Sequence, residues 1–387
     1  MTHFGDHQVS IYVNGMFLGQ VPDITTDLGA LESHAAGVLS PEAMGYVVPS
    51  AGSGSTARAN VEAFERWRIV PRMLRDHATR DLSTTVLGTS MPAPVVLGPV
   101  GVQTLAHPDG ELATARAAEA LGLTYVHSTQ ASHSIEQAAE ANGSGSRWFQ
   151  LYWPTDDELA ESFLERAKNA GYTTLVVTLD TTMLGWRPRD LDRGFLPFLA
   201  NEGIANYTTD PVFNRRLEKP AEDDPGAAGI AFASVFPNPG LSWDQLPWVR
   251  ERWDGPIVLK GIQHVDDARR AVDSGVEGIV VSNHGGRQVD GAIASLDVLP
   301  GIVEAVGRRT TVLFDSGVRT GPDVVKALAL GAEAVLLGRP YLYGLALAGQ
   351  AGVEHVLRCL LAELDLTLGN AGYRSHRELT PESLVRG

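Results

Sequence analysis

From position 94 onward the chain repeats one pattern. A short apolar run is followed by a polar turn and then by a longer stretch with apolar positions at helical spacing. The short runs are apolar throughout rather than alternating, as expected of strands covered on both faces. They predict strands over 94–100, 124–129, 147–152, 174–180, 256–262, 278–284, 311–317 and 334–340. Helical patterns fill the gaps, among them 110–122, 157–171, 265–275 and 321–331. Several of these end at glycine, the residue that most readily takes the left-handed turn past a helix C-terminus. Eight strands alternating with helices predict an α/β fold, a closed (β/α)8 TIM barrel rather than an open sheet.

The strand starts lie 22 to 33 residues apart, except that the fourth and fifth are separated by 82. The excess, 188–240, is rich in Pro, Gly, Asp and Asn and has little periodicity. It predicts a long loop after strand 4, of the kind that serves as a lid or a disordered excursion. The residues before the barrel form a mainly helical lead-in, with 41–48 and 56–67 as its clearest helices. The expected organisation is one domain over 1–387, with a helical segment at 1–92, a barrel at 93–380 and a lid loop at 188–240.

Charge narrows the partners. With 31 basic and 46 acidic residues the net charge is −15, which argues against nucleic acid and anionic membranes. The single cysteine, Cys359, sits in an apolar stretch and reads as a small buried hydrophobe rather than a nucleophile. The first ten residues lack the apolar core of a signal peptide, and no uncharged apolar run approaches the ~18 residues of a membrane span. A soluble, cytoplasmic protein is expected. His, Cys and carboxylates show no metal-ligand spacing, so no metal is expected.

Barrels carry their chemistry at the C-terminal ends of the strands, and reactive side chains collect there. The predicted strands end in Ser128-Thr129, Gln150-Leu151-Tyr152, Thr178-Leu179-Asp180, Lys260, Ser282-Asn283-His284, Asp315 and Gly338-Arg339. A histidine so placed can act as a general base near neutral pH. Asp180 could orient His284 and stabilise its imidazolium. The planar fork of Arg287 suits a carboxylate. Lys260 fits either a Schiff base or a fixed positive charge beside an electron-accepting ring. Gly and Arg after strands seven and eight, in Asp315-Ser316-Gly317-Val318-Arg319 and Leu337-Gly338-Arg339-Pro340, mark a phosphate site. There is no Walker motif and no dinucleotide fingerprint.

The segment Ser282-Asn283-His284-Gly285-Gly286-Arg287-Gln288 resembles the signature of the FMN-dependent L-2-hydroxy acid oxidases and dehydrogenases. Phe149-Gln150-Leu151-Tyr152, Thr178-Leu179-Asp180-Thr181, Leu259-Lys260-Gly261 and Phe314-Asp315-Ser316-Gly317-Val318-Arg319 resemble that family too. The resemblance covers nearly the whole chain. It implies FMN as cofactor and a small 2-hydroxy acid as substrate, with His284 as base and Asp180 behind it. Tyr46, Arg187 and Arg287 would hold the carboxylate, and Tyr152 would bond near the reacting hydroxyl. Lys260 would face flavin N1, and Ser128, Gln150, Thr178 and Ser282 would line the ring. Pro99, Val100 and Gly101 would also contact the cofactor, whose ribityl chain and phosphate would be held by Asp315, Gly317, Arg319, Gly338 and Arg339. Gly101 would leave space beside the flavin where oxidase relatives often carry alanine. A homo-oligomer, tetramer or octamer, is implied as well.

Within the family the nearest resemblance is to lactate 2-monooxygenases, through Phe4-Gly5-Asp6, Gly185-Trp186-Arg187-Pro188-Arg189-Asp190, Asn206-Tyr207 and the long excursion. That implies oxidation by O2 with decarboxylation to a shortened acid, CO2 and water. The alternatives are an oxidase that releases keto acid and H2O2 from another substrate, and a flavin-binding protein without turnover. Two departures from the family pattern stand out. Pro49-Ser50 follows Tyr46 where a flexible glycine-containing stretch is usual, which bears on how Tyr46 is placed. Gln130, expected to face substrate, replaces an aromatic or aliphatic residue.

Overall fold

The structure, a computed structural model, describes residues 3–387. Eight parallel strands close into a barrel: β1 (Val95–Leu97), β2 (Thr124–Ser128), β3 (Arg147–Leu151), β4 (Leu175–Thr178), β5 (Ile257–Ile262), β6 (Gly278–Val281), β7 (Thr311–Phe314) and β8 (Ala334–Leu337), with β8 pairing back onto β1. The observed strands stop up to three residues short of the predicted ends. The apolar-to-polar runs continue past the ladder into the loops that carry the chemistry.

Two-residue alternation sorts the strand side chains into two cores. Val96, Val126, Trp148, Val176, Val258, Val280, Leu313 and Leu336 fill the barrel lumen. Their neighbours, such as Leu97, Phe149, Val177, Leu259, Val281 and Phe314, pack outward against the helices. Burial on both faces is why the strands read as unbroken apolar runs. The hairpin formed by Thr84–Val86 and Thr89–Met91 contributes Val86 and Met91 to the lumen cluster, and Trp148 Nε1 donates to Thr89 Oγ1 at 3.2 Å.

Helices lie over 110–120, 157–169, 265–273 and 321–329, within two residues of expectation. Ile135–Asn142 and Ser295–Val306 complete the intervening units. The eighth unit ends in a 32-residue helix, Arg339–Asn370, kinked at Ala348 and Gly349. It is long and apolar enough to span a membrane by composition, but 56% of its most apolar window is buried within the protein. It packs on Gly110–Ala120 and Gly321–Ala329. In the lead-in, Pro41–Val47 and Ser55–Glu65 match the predicted helices, and a further helix, Asp6–Leu18, precedes them. The lead-in meets the C-terminal residues where Trp67–Ile69 pairs antiparallel with Leu384–Arg386.

The segment 188–240 departs from the predicted loop. It folds into short helices, Pro188–Leu191, Ala205–Thr208, Pro211–Asn214 and Pro225–Val235, around its own aromatic core. Phe198, Tyr207, Phe213, Phe232 and Phe236 are buried there, and the Tyr207 and Phe232 rings stand 5.0 Å apart. Three of the four helices have only four residues, too few for periodicity to register. The segment is a packed cap.

Candidate functional site

The same alternation that fills the lumen builds the site. Two residues beyond the apolar layer, the next inward positions are polar: Ser128 after Val126, Gln150 after Trp148, Thr178 after Val176, Lys260 after Val258, Ser282 after Val280 and Asp315 after Leu313. They circle the barrel rim as two bonded groups. Ser128 Oγ donates to Gln150 Oε1 at 3.0 Å, and Gln150 Nε2 donates to Thr178 Oγ1 at 2.9 Å. Lys260 Nζ donates to Ser282 Oγ at 3.0 Å and pairs with Asp315 Oδ2 at 3.1 Å. Burial works against the Lys260 charge, but Asp315 and Asp180 outweigh it and raise the lysine's pKa. Lys260 is therefore a fixed cation, which disfavours the Schiff-base alternative.

Above the ring, His284 sits at φ +59°, a conformation that costs a non-glycine residue about 1–3 kcal/mol. The backbone around it is held by Ser282 Oγ, which accepts from His284 N at 3.0 Å, and by Ser316 Oγ, which accepts from Gly285 N at 3.0 Å. Asn283 is locked in a reciprocal amide pair with Asn60 of the lead-in, at 2.7 and 2.8 Å. Imidazole Nδ1 faces Asp180 Oδ1 at 2.7 Å, and Thr181 Oγ1 donates to the same oxygen at 2.9 Å. With Nδ1 donating to the carboxylate, Nε2 carries the lone pair and faces Tyr152 Oη at 3.3 Å. Burial raises the Asp180 pKa, but His284 and Lys260 overcome it and bring the group down to about 2. Burial lowers the pKa of His284 despite the opposing pull of Asp180. Gly261, at φ +113°, makes the pair possible, because a β-carbon there would meet Asp180 Cβ at 2.8 Å.

A cleft opens over this constellation. Four arginines reach it: Arg187, Arg287, Arg319 and Arg339. None of their guanidinium groups has a carboxylate within 4.0 Å among the described residues. Arg187 Nη2 donates to Gln288 Oε1 at 2.8 Å. Arg287 Nη1 donates to the carbonyls of Tyr46 and Pro49, each at 2.8 Å, and Arg339 Nη2 donates to Pro49 O at 3.2 Å. Burial and the neighbouring arginines push Arg187 and Arg339 down to about 10. Buried cations that repel one another and bond only neutral groups make a site for anions. Two poles are available, Arg319 with Arg339 beyond β7 and β8, and Arg187 with Arg287 beside His284. They suit a phosphate and a carboxylate respectively.

The comparisons with known proteins agree with this geometry. The FMN-dependent dehydrogenase family matches residues 35–386. The chain belongs to the FMN-dependent dehydrogenase family. It is 51% identical over 388 residues to an FMN-dependent alpha-hydroxy acid dehydrogenase of Penicillium citrinum, covering 100% of this chain and 96% of the relative. It is 43% identical over 356 residues to an L-lactate oxidase of Lysinibacillus sphaericus, covering 92% of each. A crystal structure of mandelate oxidase superposes with TM-score 0.83 at 39% identity, over 94% of this chain and 99% of that one. The protein is an enzyme of FMN-dependent 2-hydroxy acid oxidation, with FMN as its cofactor. The polar ring, the fixed Lys260 cation and the Arg319–Arg339 pole fit a flavin ring and a terminal phosphate.

Of the residues singled out from sequence, Tyr46, Pro99, Val100, Gly101, Ser128, Gln130, Tyr152, Arg187, Lys260, His284, Arg287, Asp315, Gly317, Arg319, Gly338 and Arg339 line the cleft. Gln150, Asp180 and Ser282 stand behind that wall, bonded to residues that do line it, and Thr178 is bonded to Gln150. Pro49 leaves Tyr46 in the cleft, its ring under the Arg287 guanidinium at 5.2 Å. The expectation for Gly101 is corrected. A β-carbon there would meet the Gln130 carbonyl oxygen at 2.4 Å, so the glycine serves close packing of two loops rather than leaving space beside the flavin. Thr181, Ser316 and Asn60 were missed. The first two lie inside the quoted motifs, but no sequence signal ties Asn60 to the histidine loop.

Proposed function

We propose that the protein oxidises an L-2-hydroxy carboxylate whose side chain carries a hydrogen-bond acceptor, passing two electrons to O2 and releasing the 2-oxo acid and hydrogen peroxide. One observation carries the substrate class: Gln130 lines the cleft, is 6% exposed, and its Nε2 has no hydrogen-bond partner. A buried amide N–H without a partner costs about 1–3 kcal/mol, which an acceptor on the substrate would recover. Relatives that are named oxidases, at 40–46% identity, favour O2 as the acceptor.

FMN supplies the two-electron acceptor. Arg187 and Arg287 bind the substrate carboxylate, and this anion relieves the repulsion between them. Tyr152 Oη and His284 Nε2 then bracket the C2 hydroxyl. The lone pair on Nε2 accepts the proton, and Asp180 stabilises the resulting imidazolium through Nδ1. Lys260 lines the cleft as a positive charge that would face the bound flavin, paired to Asp315 so that it stays protonated.

A second reading has a specific observation in its favour. The cap is packed, and its Phe236 and Phe198 rings contact Tyr152 and Tyr46 at 5.6 and 6.2 Å. A cap seated on two substrate-site tyrosines favours retention of the keto acid while peroxide forms, and hence decarboxylation before release.

One experiment addresses both readings. The flavin is bleached anaerobically with aliphatic, aromatic and polar 2-hydroxy acids, then O2 is readmitted and peroxide and CO2 are assayed. Rapid bleaching by a polar acid with stoichiometric peroxide is expected. CO2 without peroxide would establish the second reading, and bleaching by none of the acids would overturn both.

A further inference from the structure

We propose that His7, His355 and Cys359 form a binding site for one Zn2+ ion that clamps the N-terminal helix to the long C-terminal helix. The sequence gives no hint of it, since the ligands come from opposite ends of the chain and no metal is expected from spacing. His355 and Cys359 are four residues apart on Arg339–Asn370 and so share a face. His7 lies in the first turn of Asp6–Leu18. One ligand atom from each of the three lies within 4.8 Å of the others.

The distances suit a metal. Cys359 Sγ stands 3.6 Å from His355 Nε2. Tetrahedral zinc, with Zn–S about 2.3 Å and Zn–N about 2.0 Å, separates sulfur and nitrogen by about 3.6 Å. The His7 side chain supplies an independent sign, because its Nε2 is buried and has no hydrogen-bond partner. The Thr25 carbonyl faces His355 Nε2 at 3.1 Å and can give up its hydrogen bond to become an oxygen ligand. The alternative fourth ligand is water, admitted by the cavity that His7, Ile11, Tyr12, Cys359 and Glu363 line. One thiolate and two imidazoles are a donor set suited to Zn2+ among the abundant divalent ions. The thiol proton leaves to solvent on binding. The opposing cation nearby, Arg358, has a carboxylate of its own in Glu354, at 3.4 Å.

The position gives the metal a structural task. Asp6–Leu18 buries none of its residues. Its start is held by Gly5 N, which donates to Asp365 Oδ2 at 2.7 Å, while Asp365 also pairs with Arg80 at 2.6 Å. A metal bond at His7 would add a second tether two residues further along. None of the three ligands lines the flavin cleft, so the ion would act on the stability of the chain ends and leave the oxidation chemistry alone.

The test uses the FMN-loaded full chain, stripped with a chelator and dialysed against Zn2+ or Co2+. One Zn2+ per chain is expected, together with the ligand-field absorption of four-coordinate Co2+ to the red of the flavin bands. Zn2+ should raise the melting midpoint of the parent protein. C359S and H7A should each weaken Zn2+ binding by about tenfold or more and abolish the rise in melting midpoint, with flavin reduction by substrate unchanged. The exposed control H264A should bind as the parent does. Absence of stoichiometric binding, or equal binding by C359S, H7A and the parent, would overturn the proposal. So would loss of binding in H264A, which would mark surface adsorption.

Discussion

Asp180 Oδ1 lies 2.7 Å from Nδ1 of His284, and this contact leaves Nε2 as the nitrogen presented to Tyr152 and the cleft. The carboxylate thus acts on both the orientation and the charge of the base. D180N should slow flavin reduction by about 100-fold or more, as loss of a positioned acid–base partner does, with FMN still bound. Stopped-flow reduction measures it. A change below threefold would show that His284 is oriented by Thr181 and the backbone alone.

The pH profile follows from the same pair. Burial lowers the His284 pKa, Asp180 opposes the shift, and the Lys260 and Arg187 charges add to it. The neutral base is therefore present at pH 7 and is lost only as pH falls through a value below the usual 6.5. The acid limb of kcat/KM should lie below that value, and D180N should move it lower still while depressing the plateau. An acid limb that moves upward in D180N would contradict the assignment.

Gln130 sets a preference among substrates. Q130L removes a buried N–H without a partner, so turnover of purely aliphatic 2-hydroxy acids should improve relative to polar ones by roughly 5- to 150-fold, the equivalent of about 1–3 kcal/mol. Ratios of kcat/KM across a substrate panel check this, and an unchanged ranking would place the Gln130 amide away from the substrate.

Arg339 is pressed down to about 10 by burial, Arg287 and Arg319, and bound phosphate would relieve it. R339L should weaken FMN binding by at least about tenfold, with partial recovery in R339K, which keeps the charge but not the planar fork. Fluorescence of released flavin on dilution reports the affinity. Equal retention of FMN in R339L would move the phosphate site elsewhere.

Phe236 meets Tyr152 from the cap with ring centroids 5.6 Å apart. F236A should leave anaerobic flavin reduction within about threefold and speed keto acid release, raising the share of peroxide over CO2 if the parent forms any CO2. Deleting 221–229 would be a poorer test. Gly229 packs so closely that a β-carbon would meet Leu199 Cα at 2.8 Å, and the deletion would take half of Pro225–Val235 with it.

Much of the site was legible because local alternation carried it. Once the run ending in Val258-Leu259-Lys260 is read as a strand, the position of Lys260 two residues past a lumen valine follows from the pleat. The same holds for Gln150 past Trp148 and Ser282 past Val280. The cap was illegible for the opposite reason. Three of its four helices are a single turn each, and Phe198, Tyr207 and Phe232 become a core only when brought together in space.

Residue order alone specified the eight strands, the polar layer at their C-terminal ends and the histidine loop, since each of these parts is written within a short segment. The tertiary structure decided which distant segments support those parts. Asn60 locks Asn283, and Pro49 accepts from both Arg287 and Arg339. Gly101 yields its space to the Gln130 carbonyl, and His7 reaches His355 and Cys359. Periodicity reports how a segment faces its own neighbours, whereas these contacts join segments far apart in the chain and are fixed only when the whole molecule packs.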